Sequence, residues 1–176
     1  MIYFTSDTHW GHFNIIKYCK RPFASVEEMD RVMAANWNAV VGPRDTVYHL
    51  GDFAMGKKES IPEYRKRLNG RIILIRGNHD RDTKRMLAYG FDEVHDELTL
   101  GEADRPLFLR HKPDHEGHKK ALYHLCGHVH DKWLRKGNII NVGVDMWGFK
   151  PRTIEEILAA PKDADSHIPL EDQYDR

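Results

Sequence analysis

Cysteine is nearly missing: Cys19 and Cys126 are the only two in 176 residues, too few and too far apart for the disulfide framework of a small secreted domain. Neither sign of charge is in excess. Twenty-seven Lys and Arg balance 27 Asp and Glu, which argues against a protein that coats nucleic acid through a basic surface. No apolar run approaches the roughly 20 residues of a membrane span. Met1-Ile-Tyr-Phe leads straight into a strand pattern, without the basic segment and apolar stretch of a secretory signal. These absences predict a cytoplasmic protein with no membrane partner. Its 40% hydrophobic residues are ample for a core, so neither disulfide nor structural metal is required for folding.

What the chain does have is apolar residues at two periods. Ile2–Ser6, Thr46–Leu50 and Arg71–Arg76 are short runs of the kind that form buried strands. Ser25 with Glu28 fits a capping box, and Val26, Met29, Val32, Met33, Trp37 and Val40 recur at helical spacing until Gly42-Pro43. Ser60 with Glu63, and Pro62 in the first turn, mark a helix to Leu68; Thr83–Tyr89 reads as another, and Asn14–Tyr18 as a helical turn. The second half changes character. Glu93–Leu100, Pro106–Arg110, Ala121–Cys126 and Asn138–Val144 are β-rich runs, and Thr153 with Glu156 caps a last helix, Ile154–Ala159. Alternation first and strands afterwards fits an α/β fold of two facing mixed sheets with helices on both outer sides. Residues 1–160 make one domain; the polar tail, 161–176, lacks periodicity and reads as poorly ordered.

Five short segments at the ends of apolar runs carry metal-ligand chemistry: Asp7-Thr8-His9, Gly51-Asp52, Gly77-Asn78-His79-Asp80, His111 and Gly127-His128-Val129-His130. Carboxylate, imidazole and amide oxygen are donors that manganese, iron and zinc accept. A lone Asp-x-His or His-x-His arises by chance; five such segments in order, each after a strand pattern, are hard to produce by accident. Asp52 can bridge, and mixed nitrogen and oxygen donors flank it. That points to two ions about 3.5–4 Å apart, the arrangement that clamps a phosphoryl group.

The series resembles the calcineurin-like metallophosphoesterase superfamily, whose ordered blocks D-x-H, G-D, G-N-H-[DE], a lone His and G-H-x-H all have a match between Ile2 and about Ile157. The segment Asp7–Ile16 looks like the opening of the small bacterial and phage members. The resemblance implies a four-layer α/β/β/α sandwich with metals at one rim. It gives Asp7, His9, Asp52 and His130 to one ion and Asp52, Asn78, His111 and His128 to the other. It also implies a hydrolase of phosphate esters, a phosphodiesterase before a monoesterase, in which a metal-bridging hydroxide attacks phosphorus in line. Manganese is expected first, with iron, zinc, nickel and cobalt as alternatives. By the same resemblance His79 is the catalytic group, touching the phosphate and assisting the leaving oxygen. Family members that have become scaffolds commonly lack this His. One block departs from the pattern: protein phosphatases of the superfamily read G-D-x-x-D-R-G, and Met55 stands where their second Asp orients the catalytic His. Either another group orients His79, or it acts mainly as a hydrogen-bond donor.

Around these residues, His12 and Asn14 lie where a bound ester would project, and Arg81 could steer an anion. Asp80 is expected to fix its loop, and Cys126 to fill core space. Trp147, Phe149 and Arg152 either flank a nucleobase or, the better reading, pack onto the last helix. His49, His95, His115, His118, His124 and His167 have no motif context, and Cys19 has no evident partner. The substrate is expected to be a phosphate ester, with a nucleotide or nucleic-acid end among the candidates. Two alternatives stand beside the esterase: a nuclease acting on DNA or RNA, and a non-catalytic metal-binding scaffold. The oligomeric state is not legible.

Overall fold

Alternation within the strands decides the layering. In the structure, a computed structural model that describes residues 1–101, 106–113 and 122–161, consecutive strand residues enter two different cores. Along β1 (Ile2–Thr5) and β3 (Arg71–Ile75), Tyr3, Ile72 and Leu74 join one cluster, while Phe4 and Ile75 join the other. The first cluster is completed by helices α1 (Phe13–Tyr18), α2 (Val26–Val40), α3 (Ile61–Lys66) and α4 (Thr83–Ala88), through Ile15, Met29, Met33, Trp37, Ile61 and Met86. The second is completed by β6 (Leu107–Arg110), β7 (Tyr123–Cys126) and β9 (Ile139–Asn141), through Leu109, Leu125 and Ile140, and by Ile157 of α5 (Ile154–Leu158).

The expected sandwich therefore forms, with one sheet simpler than expected. The first sheet, ordered β1-β2-β3-β4 with β2 at Thr46–His49 and β4 at Glu93–His95, is parallel throughout. The second is mixed, ordered β5-β6-β7-β9-β8, with β5 (Glu97–Leu100) and β8 (Arg135–Lys136) antiparallel to their neighbours. Among the described residues the helices are unequally placed: α1–α4 cover the parallel sheet, and α5 adds Ile157 to the core between the sheets, beside β1. A parallel bridge from Ser6 to Gly143, with Val144 N–H donating to Ser6 O at 3.0 Å, joins the two sheets beyond β1 and β9.

Local signals held where the chain could satisfy them locally. Ser25 Oγ accepts from Glu28 N–H at 3.1 Å, and the Glu28 carboxylate accepts from Ala24 N–H, one residue earlier than a strict capping box. Thr153 and Glu156 form the full reciprocal box. Ser60 does not cap: a 3₁₀ turn at Lys58–Ser60 already places its backbone in the helical region, which turns its side chain away from the amides ahead. The run Glu93–Leu100 is two strands, not one. It breaks at Asp96, where the chain leaves the parallel sheet for the mixed one. The tail from residue 162 lies outside the described residues. No helix among those described is long and apolar enough to cross a membrane.

Candidate metal centre

Each motif residue follows the carboxyl end of a strand. β1 is followed by Asp7 and His9, β2 by Asp52, β3 by Asn78 and His79, β6 by His111, and β7 by His128 and His130. Because β1, β2 and β3 run parallel, as do β6 and β7, these ends gather at one rim. Asp7, His9, Asp52, His128 and His130 all have φ between 48° and 70°. Asp and His enter that left-handed region more readily than most residues, but each still costs roughly 1 kcal/mol or more. The left-handed turns bend the chain sharply after each strand, so that donors two residues apart both face the rim.

Two glycines make room for the carboxylates. A Cβ on Gly77 would stand 2.1 Å from Asp52 Oδ1, and one on Gly127 would stand 2.0 Å from Ser6 Oγ and 2.3 Å from Asp7 Oδ2. The Gly127 approach lets His128 N–H donate to both Asp7 oxygens, at 3.2 and 3.0 Å.

The side chains converge in two groups, Asp7 with His9 and His130, and Asp52 with His111 and His128; within each group the donor atoms lie within 4.8 Å of one another. Asp52 Oδ2, a member of the second group, also reaches towards the first. It is 3.7 Å from His9 Nε2, 3.4 Å from His111 Nε2 and 3.9 Å from His79 Nε2. Asp52 Oδ1 is engaged elsewhere, accepting His79 N–H at 2.9 Å, which fixes the rotation of the carboxylate. His111 Nδ1–H donates to Leu50 O at 2.7 Å, so its Nε2 lone pair faces Asn78 Oδ1 at 3.1 Å.

These donors fit divalent cations. Both ring nitrogens of His9, a residue 2% exposed, lack any hydrogen-bond partner, although Asp7 Oδ1 and Asp52 Oδ2 stand within 3.9 Å of Nε2. Buried polar atoms without partners are rare and costly. Lone pairs of His111, Asn78 and Asp52 facing one another are repulsive unless a proton or a cation lies among them. An ion about 2.1 Å from two donors at a tetrahedral angle holds them about 3.4 Å apart, close to the separations found.

The protein's own charges prepare His9 and Asp52 for a cation, while protons compete for the other groups. Burial pushes His9 down to about 2, so it stays neutral and ready to ligate. Burial also opposes charge on His111, yet Asp52 and Asp7 outweigh it and its pKa lies above the ordinary value. Asp52 ends below the carboxylate range: His111 and the His79 amide overcome the effect of burial. Burial raises Asp7.

Sequence reasoning missed the groups behind the ligands. Arg21, 4% exposed, donates Nε and Nη2 to the two oxygens of Asp145, at 2.7 and 3.0 Å, and donates to the backbone carbonyls of Asp7 (2.7 Å) and Thr8 (3.0 Å). Asp145 Oδ2 in turn lies 3.6 Å from His130 Nδ1, and Cys19 joins them within 4.8 Å, so Cys19 does have neighbours. Burial works against charge on His130, but Asp145, Cys19 and Asp7 lift it to about 10; Arg21 and His130 likewise hold the buried Asp145 down to about 2. His49, without motif context, is fully buried: Thr8 Oγ1 donates to Phe53 O and therefore accepts from His49 Nε2–H at 2.9 Å. Asp80 accepts from the amides of Gly77 and Asp52 (both 2.8 Å) and Phe53 (3.0 Å), tying two ligand loops together. Only Asp80 carried a sequence signal. Arg21 and Asp145 lie 124 residues apart, and neither stands in a recognisable spacing.

The expected substrate contacts are less uniform. His12 belongs to the cluster, its ring 5.4 Å from that of His9. Asn14 is exposed on α1, and Arg81 is half-buried beyond the Asn78–Asp80 loop; neither bonds to the ligands among the described residues. Among the described residues no other carboxylate stands in for the missing orienting Asp at Met55; the acidic group beside His79 is Asp52 itself. Trp147 and Phe149 are buried, which excludes them from stacking on a base: Trp147 donates to Asn141 O and packs with Ile157, while Phe149 packs against Phe23 rather than the last helix. His115, His118 and His167 lie outside the described residues.

Comparison with known proteins bears on the family and the fold. The family model for the calcineurin-like phosphoesterase superfamily domain matches residues 1–147. An uncharacterized protein of Methanocaldococcus jannaschii is 38% identical over 164 residues, covering 89% of each chain. The gene 66 protein of Mycobacterium phage L5 is 30% identical over 183 residues, covering 83% of this chain and 87% of its own. A solved structure of a protein of unknown function from Aquifex aeolicus superposes with a TM-score of 0.70 at 32% identity, covering 89% of this chain and 97% of that one.

Proposed function

The chain belongs to the calcineurin-like phosphoesterase superfamily, and from that premise we propose a hydrolase of phosphate diesters that works with two divalent cations, manganese foremost. The observation that supports the reading is the position of Asp52 Oδ2, 3.4 Å from His111 Nε2 in its own group and 3.7 Å from His9 Nε2 in the other. Asp7, His9 and His130 would hold one cation, Asn78, His111 and His128 the other, with Asp52 common to both. Cations held there would withdraw charge from the phosphoryl group and make a water nucleophilic at neutral pH.

The protein's residues supply the rest. Attack forms a P–O bond to the water oxygen as the P–O bond to the leaving group breaks. His79, its side chain 42% exposed beside Asp52, would donate a proton to the departing oxygen. The Asp80 bonds hold its loop so that this donor does not drift. His12 faces the same space from the His9 side.

Two features support a diester, in which phosphorus carries two organic groups. A groove of about 270 Å³ beside Asn78 and His111, lined also by Arg76, Arg110 and Lys112, offers room for one. On the His12 side, Tyr18 is 71% exposed with its ring 6.3 Å from that of His12, a flat wall for an aromatic substituent such as a nucleobase. The scarcity of cysteine supports a cytoplasmic setting.

The test is turnover of bis(p-nitrophenyl) phosphate against p-nitrophenyl phosphate by purified protein with added Mn²⁺, after metal analysis. The diester is expected to be the better substrate, with close to two cations bound per chain. Silence on both esters in Mn²⁺, Co²⁺, Ni²⁺ and Zn²⁺ would reject the enzyme. Faster cleavage of single-stranded DNA or RNA that collapses steeply with salt would favour a nuclease instead.

A further inference from the structure

Arg21 and Asp145 form a buried ion pair that no motif requires. Their side chains are 0% and 3% exposed, and the guanidinium meets both carboxylate oxygens. A buried pair is poor evidence of stability, because removing two charges from water costs about as much as their attraction returns. What this pair touches is more informative. Arg21 grips the carbonyls of Asp7 and Thr8, the stretch where Asp7 and His9 adopt left-handed backbone, and Asp145 stands behind Nδ1 of His130. Three of the four proposed ligands of one cation, all but the shared Asp52, thus rest on a single rigid unit. The other group has less behind it: His111 is held by Leu50 O, but Asn78 is exposed, and the His128 ring has no hydrogen bond among the described residues.

We propose that Arg21 and Asp145 are positioning residues that preform the Asp7–His9–His130 site, so that it fills first and holds its cation more tightly than the Asp52–Asn78–His111–His128 site. The inference rests on the two-cation reading above. A carboxylate behind the distal nitrogen of a ligating His fixes ring and tautomer, and losing such support typically weakens affinity about 10–100-fold. The Arg21 contacts add a second effect, since the strained backbone is held before any ion arrives and need not be ordered by it.

Metal-stripped wild-type protein is titrated with Zn²⁺ while imidazole ¹⁵N resonances are followed. Up to one equivalent, His9 and His130 are expected to shift before His111 and His128; simultaneous or reversed order overturns the proposal. Calorimetric Mn²⁺ titration of Arg21→Met/Asp145→Leu then separates positioning from mere support. This double variant leaves no lone buried charge, so folding is retained, yet the tighter class of site should weaken about 10–100-fold while the looser class is unchanged. Wild-type values for both classes, or an equal loss in both, overturn the proposal. Wild type that never takes up two cations instead rejects the two-cation reading itself.

Discussion

The two ligand groups share carboxylate and imidazole donors, Asn78 adding an amide oxygen to the second, but they differ more in what stands behind them. Asp7 and His9 are 0% and 2% exposed, and the Arg21–Asp145 pair backs their loop and His130. Around Asp52 the second group opens outward: Asn78 and His79 are exposed, and a groove leads away past His111. On the proposed two-cation reading, the difference would be a division of labour: the braced, buried site would suit an ion that stays, and the open one would let a substrate oxygen reach its ion and product leave.

Substituting the shared residue should break the contrast completely. Asp52→Asn is expected to weaken both classes of site and reduce turnover to background, measured by metal analysis alongside kinetics; retention of either class unchanged would show that Asp52 is not shared. His79→Ala should cost about 10²–10⁴-fold in kcat while both cations remain, because it removes a proton donor and no ligand. Cation loss in that variant would instead move His79 into the ligand set. Asn78→Ala should spare the tighter class and weaken only the looser one, read by Mn²⁺ calorimetry. Smaller still, Tyr18→Ala should raise KM for an aryl diester roughly fivefold, about 1 kcal/mol of ring contact, with kcat unchanged. An equal change for an alkyl diester would count against stacking.

The last prediction concerns pH and the braced side alone. Burial holds His49 down to about 3, well below its unfolded value near 6.5. The unfolded chain therefore takes up this proton first as pH falls. The contribution is fully present above about 6.5 and is lost progressively as pH falls towards 3. Melting temperatures in chelator should drop across that window, and His49→Gln should flatten the slope; parallel slopes in the two proteins would sink this assignment.

Much of the candidate ligand set was legible in the sequence, the contrast in its support was not, and what was hidden has a common cause. Asp7, His9, Asp52 and the histidines after β7 could be read because each follows a strand pattern and carries its chemistry in neighbouring letters. The caps at Ser25 and Thr153 are equally local. Arg21, Asp145 and His49 acquire their roles only through partners brought close by folding, and nothing near Arg21 in the sequence hints at a carboxylate 124 positions later. The break at Asp96 was invisible because both flanking segments favour strand; which sheet each joins is decided by packing. Phe149 was misplaced for the same reason, its partner Phe23 belonging to the opposite half of the chain.

Gly127 offers an inactive control that leaves every donor in place. One added methyl there would collide with Ser6 and the Asp7 carboxylate together, two groups at the seam between the sheets with no slack to retreat. Gly127→Ala would thus disarm the centre through bulk alone, giving experimenters a null protein whose charge, histidine content and surface match the wild type.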